Sequence, residues 1–144
     1  MTLRAIAAAA LIAAVSATAA SAQDWSLNPN YGTASLNPGF LPDPHNVNLT
    51  AGGGVDAGNV GCSGMISNAP DYRLQWGGNR IRIGATSGSD TTLVINAPNG
   101  QWYCSDDANG LDPELVLNGS GQYDIWVGTY GGGYSDATLY ISEY

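Results

Sequence analysis

Carboxylates dominate the chemistry available in residues 90–112, where Asp90, Asp106, Asp107 and Asp112 lie with Asn109 among serine, asparagine and glycine. Hard divalent cations gather several carboxylate and carbonyl oxygens, so these four aspartates are candidate metal ligands, with calcium the candidate ion. Short Asx-rich loops also serve as plain turns, and residue types alone leave both uses open. Asp106 and Asp107 are adjacent, so they point apart on an extended strand and converge only in a tight loop. A glycosidase built on carboxylates needs two of them roughly 5–10 Å apart across a cleft. A secreted hydrolase using acidic residues is therefore carried as an alternative.

Other catalytic sets lack their parts. The one histidine, His45, stands between Pro44 and Asn46 in a proline-broken stretch, and no G-x-S-x-G element accompanies it. A solvated loop histidine is the expectation, because a base that serves a nucleophile must be held tightly. Paired zinc-ligand spacing is absent. Gly131-Gly132-Gly133 has no following Lys or helix, so it reads as a hairpin turn and not as a phosphate loop. Exposed Trp faces are stacking platforms for sugars. Trp126 alternates with Ile125 and Val127 and is the better candidate for exposure, with Trp102 second, while core packing is the commoner use of either.

The elements that must position these residues are strands. Runs of β-branched and aromatic residues are separated by Gly, Asn, Asp and Pro at short, regular intervals, and no window supports a helix once the first 22 residues are set aside. The reading is all-β, a single antiparallel β-sandwich of eight or nine strands. Thr91 to Ala97 lacks polar alternation after Thr92, as a central strand covered on both faces does. The Pro98-Asn99-Gly100 turn then leads into Trp102-Tyr103-Cys104. If those two strands form a hairpin, the start of the first lies beside the end of the second, and Asp90 shares one end of the sheet with the 106–112 loop.

Residues 1–22 read as an export signal: Arg4, then an apolar run from Ala5 to Val15, then Ala20-Ser21-Ala22 as a small-residue cleavage site. The run is too short for a membrane span of roughly 20 apolar residues. Secretion, extracellular or periplasmic, makes a disulfide the default for Cys62 and Cys104. Closing that loop of about 43 residues is worth roughly 4 kcal/mol on the chain-entropy account. Beyond Ala22, three arginines and no lysine face twelve acidic residues, a net charge of −9. Such a surface repels phosphate backbones and anionic membranes, so the expected partners are an extracellular protein or a polysaccharide. Residues 23–46 carry Pro29, Pro38, Pro42 and Pro44 and should wrap the body or form an edge; residues 47–144 form the sandwich. Open strand edges leave a homo-oligomer, in the form of a self-assembling layer or filament, as a further alternative.

Residues 89–141 resemble the bacterial pre-peptidase C-terminal domain family, and Val47 to Ile83 do so more loosely. The likeness lies in Ser89-Asp90-Thr91-Thr92-Leu93-Val94-Ile95, the Pro98-Asn99-Gly100 turn, the Ser105-Asp106-Asp107 loop, Gly121-Gln122-Tyr123-Asp124-Ile125-Trp126-Val127 and the Tyr-rich segment from Tyr134 to Ile141. The resemblance implies a secreted, non-catalytic β-sandwich of jelly-roll type, associated with extracellular peptidases and calcium-binding in some members. Where that family often has a second aspartate before the strand's leucine, this chain has Thr92. The expected function is a secreted binding or structural module, calcium-stabilised, and not an enzyme.

Overall fold

The computed structural model describes residues 22–144, so the export signal lies outside the described residues apart from Ala22. Eleven strands form two sheets: β1 (Thr33–Leu36), β2 (His45–Gly52), β3 (Val55–Asp56), β4 (Met65–Ile66), β5 (Tyr72–Trp76), β6 (Arg80–Ser87), β7 (Thr91–Asn96), β8 (Trp102–Ser105), β9 (Glu114–Asn118), β10 (Gly121–Thr129) and β11 (Tyr134–Ser142). The count exceeds the eight or nine read from periodicity, because β3 and β4 are two residues long and β1 only four. Segments that short carry no alternation to detect. A single 3₁₀ turn, Ala57–Val60, is the one helical element among the described residues.

The larger sheet is built on β10. One of its edges pairs with β7, and β7 with β8; its other edge pairs first with β5 and, further along, with β4. β1 adds to β5 in parallel, the one departure from antiparallel pairing among these strands. The second sheet runs β2-β11-β6-β9. The glycines at 131–133 therefore do not close a hairpin: β10 and β11 belong to different sheets, and the segment carries the chain across the sandwich.

Alternation explains the core between the sheets. Leu93 and Ile95 of β7 and Tyr123, Ile125 and Val127 of β10 project inward against Ile81, Ile83, Leu139 and Ile141 of the facing sheet, all fully buried. Their neighbours on the other face, Val94 and Trp126, meet a second apolar cluster with Val55, Ala57, Cys62 and Ile66. These last four come from the segment 55–66, which folds over the outer face of the larger sheet as a flap. Gly128 lets the flap sit close, since a Cβ there would stand 2.8 Å from the Ile66 side chain and from the Met65 carbonyl. The Cys62–Cys104 disulfide ties the flap to β8, with Cα atoms 5.6 Å apart. β7 is thus covered on both faces, as its unbroken apolar run predicts.

Asp71 repairs a gap in this sheet. β5 pairs with β10 as far as Ile125, and β4 takes over only at Thr129, so the Val127 amide falls between them. It donates to Asp71 Oδ2 at 2.7 Å, while Ser67 Oγ donates to Oδ1 at 3.3 Å. An orphaned buried amide there would cost about 1–3 kcal/mol. Burial pushes the carboxyl up to about 7, against the opposing pull of those hydrogen bonds.

Two outcomes follow. A folded-state pKa raised from about 3.8 toward 7 means that the native state holds a proton the unfolded chain has lost. The stability it contributes is complete below about pH 4 and disappears as pH rises through 7. Melting temperature should therefore fall more steeply between pH 4 and pH 7 in the native sequence than in Asp71→Asn; parallel profiles would show that Asp71 does not titrate in this range. Replacing both cysteines by alanine should lower stability by up to about 4 kcal/mol in denaturant titrations. It should also shift tryptophan emission to the red as the flap loosens over Trp126, and an unshifted spectrum would mean that packing alone holds the flap.

Candidate functional site

The β7–β8 hairpin sets the acidic end. Its register pairs Leu93 with Ser105 and Asn96 with Trp102. Asp90, just before β7, is thereby brought beside Asp106 and Asp107, just after β8. One carboxylate oxygen from each of the three lies within 4.8 Å of the other two. The main chain on either side is pinned: the Tyr130 amide donates to Asp90 O at 3.0 Å, and the Thr91 amide to Leu111 O at 3.4 Å.

Asp112 does not join them. Its Oδ1 accepts the Ser87 amide at 3.2 Å, anchoring the loop to the end of β6, and its main chain forms a two-way bridge with Asn109. These two residues shape the loop that presents Asp106 and Asp107. Thr92, at the position that departs from the family pattern, is buried between Gly64 and Gly128 beneath the flap.

Within the three-carboxylate cluster, one oxygen of Asp90 and one of Asp106 are buried without a hydrogen-bond partner. Burial raises the pKa of Asp106, and the neighbouring charges of Asp107 and Asp90 raise it further. Unpartnered buried carboxylate oxygens are costly, and repelling carboxylates held together are costlier still. A hard cation offsets both, and an all-oxygen donor set suits calcium or magnesium and not the softer metals that prefer sulfur or imidazole. Asp90, Asp106 and Asp107 are the residues that would hold it.

Of the two uses open to Trp126, stacking platform or core, the structure takes the core. Trp126 is fully buried, its ring centroid 5.3 Å from that of Trp102 and its outer side covered by the flap. It offers no free face. At roughly 25 cal/mol per Å2, burying an indole of roughly 200 Å2 contributes on the order of 5 kcal/mol, which is a structural use of the residue. Trp102 is half-buried and keeps part of its surface. His45 is likewise no solvated loop residue: it opens β2, and its Nε2 lies 2.9 Å from the Tyr72 hydroxyl. A cleft at the opposite end of the hairpin, where Trp25, Asn96, Trp102, Gln122 and Asp124 meet, has no counterpart in the sequence reading. Its one legible sign was the parity of Gln122 and Asp124, which share Trp126's side of β10.

No protein-family model and no curated protein matches the chain. Among solved structures it is similar to the pre-peptidase C-terminal domain of a collagenase from Bacillus anthracis, with a TM-score of 0.51 and 17% identity over 81% of this chain and 99% of that one. A periplasmic inhibitor of g-type lysozyme from Aeromonas hydrophila superposes with a TM-score of 0.44 and 15% identity, covering 77% of this chain and 96% of that one. At such identities the collagenase likeness is one of fold: the chain has the two-sheet β architecture of a pre-peptidase C-terminal domain.

Proposed function

We propose that the protein is a secreted, non-catalytic binding module whose acidic end holds calcium through Asp90, Asp106 and Asp107. The observation that carries the metal reading is that Asp90 and Asp106 each bury one unpartnered carboxylate oxygen within a cluster where one oxygen of each converges with one of Asp107. An ion bound there clamps the open end of the β7–β8 hairpin, joining the segment before β7 to the loop after β8. The disulfide on β8 fits folding in an oxidising compartment. The non-catalytic reading rests on the commitment of the reactive side chains to structure: His45 is bound to Tyr72, Asp71 to the Val127 amide, and Asp124 to Arg73.

Calcium that binds only the folded state must raise stability, by about 2.7 kcal/mol at a hundred times its dissociation constant. For a domain of this size that is on the order of 10 °C in melting temperature. The melting temperature should rise by about that amount on adding calcium and fall back with excess chelator. Asp90→Asn and Asp106→Asn should abolish the response, whereas Asp112→Asn should retain it while lowering the baseline. A calcium-insensitive midpoint removes the metal from the proposal, and a response lost only in Asp112→Asn reassigns its ligands.

A further inference from the structure

At the turn end of the β7–β8 hairpin, a cleft of about 500 Å3 opens on the outer face of the larger sheet. Its size falls within the roughly 300–1,000 Å3 typical of small-ligand sites. Two indoles line it. Trp25 is half-exposed, and its segment is fixed to the sheet by Arg73, whose Nη2 donates to the carbonyls of Trp25 and Leu27 at 2.6 and 3.1 Å. Trp102 is supported from beneath by the buried Trp126.

The polar part of the cleft consists of Asn96, Gln122 and Asp124. Asp124 is 2% exposed, and its carboxylate is oriented by Arg73 Nε at 2.6 Å and Gln122 Nε2 at 2.8 Å. Asn96, itself 9% exposed, donates its Nδ2 to Gly100 O at 3.3 Å, which leaves Oδ1 as an acceptor. The Arg73–Asp124 pair cancels its own charge. In a chain of strongly negative net charge, this cleft is neutral and walled by aromatic faces, with Asn96 Oδ1 as its free acceptor, the Gln122 amide being taken up by Gln75 and Asp124.

We infer that this cleft binds a neutral oligosaccharide, with the apolar face of a sugar ring stacked on Trp25, Trp102 beside it, and a hydroxyl donating to Asn96 Oδ1. Stacking on an indole uses the C–H face of a pyranose, and a hydroxyl donor matches the acceptor present. An extended peptide fits worse. Strand addition needs an open ladder, and along the cleft floor β10 is paired with β5 from Gly121 and with β7 from Asp124, while Pro98 packs against Gly121 where the β7 pairing stops. The inference rests on the binding-module reading and supplies its ligand class. It does not rest on the calcium clause, since the acidic cluster lies at the other end of the hairpin.

Titration of the purified protein with cellotetraose, chitotetraose, maltotetraose and mannotetraose, followed by tryptophan fluorescence and calorimetry, tests it. At least one should bind saturably, with a spectral change. Trp25→Ala, at an exposed position, should fold normally and weaken that binding about tenfold, and Trp102→Phe should weaken it less. Gelatin serves as the peptide probe, and all titrations are run with calcium and with chelator. Absence of saturable sugar binding under both conditions overturns the inference, as does sugar binding that Trp25→Ala leaves unchanged, or saturable binding of gelatin alone. A calcium-dependent melting shift without sugar binding would overturn this inference and leave the metal proposal standing.

Discussion

The antiparallel pairing of Thr91–Asn96 with Trp102–Ser105 is the interaction on which both ends of the molecule depend. Because a hairpin register fixes every cross-strand neighbour at once, the same set of main-chain hydrogen bonds that brings Asp90 to Asp106 also brings Asn96 to Trp102. A slip of one residue would turn Trp102 and Cys104 toward the opposite face. The disulfide could then no longer reach the flap, and the outer apolar cluster would lose its cover. Register, disulfide and flap are therefore parts of one constraint, with the Pro98-Asn99-Gly100 turn at its origin.

The flap changes how the larger sheet should be understood. A sheet packed on one face only would show Val94 and Trp126 to water, and such a patch invites association. Here residues 55–66 cover it using one turn of 3₁₀ helix, two minimal strands and a disulfide, a small expenditure of chain. Asp71 belongs to the same arrangement. It bridges the place where β5 stops and the flap's β4 begins, so that β10 keeps its hydrogen bonds while changing partners.

How much of this was legible in sequence depended on the range of the interaction. Periodicity, turn chemistry and antiparallel geometry are local, and they located the central strand, the hairpin after it and the meeting of Asp90 with Asp106 and Asp107. The pairing of Cys62 with Cys104 followed from compartment and count. What failed was tertiary in origin. Trp126 reads as an outward residue of β10, and it is one, but a segment some sixty residues earlier lies on top of it. Asp112 has the right side chain in the right loop, and it is drawn away by the Ser87 amide. The glycines at 131–133 look like a hairpin turn because nothing local distinguishes a turn within a sheet from a crossing between sheets. The cleft around Trp25 joins a proline-rich segment to residues seventy to a hundred positions away, a juxtaposition that alternation cannot encode.

That crossing also sets the order of assembly. β11 is the last strand in chain order, yet it is interior to its sheet, paired with β2 on one side and β6 on the other. Neither β2 nor β6 has a neighbour to its left or right until residues 134–142 arrive, apart from the outer strand β9 on β6. The pairing of His45 with Ile141 closes a loop nearly as long as the domain, and contacts this remote in sequence slow folding. A chain wired in this way stays open until its last strand is in place, and it completes one wall of its core as nearly its final step.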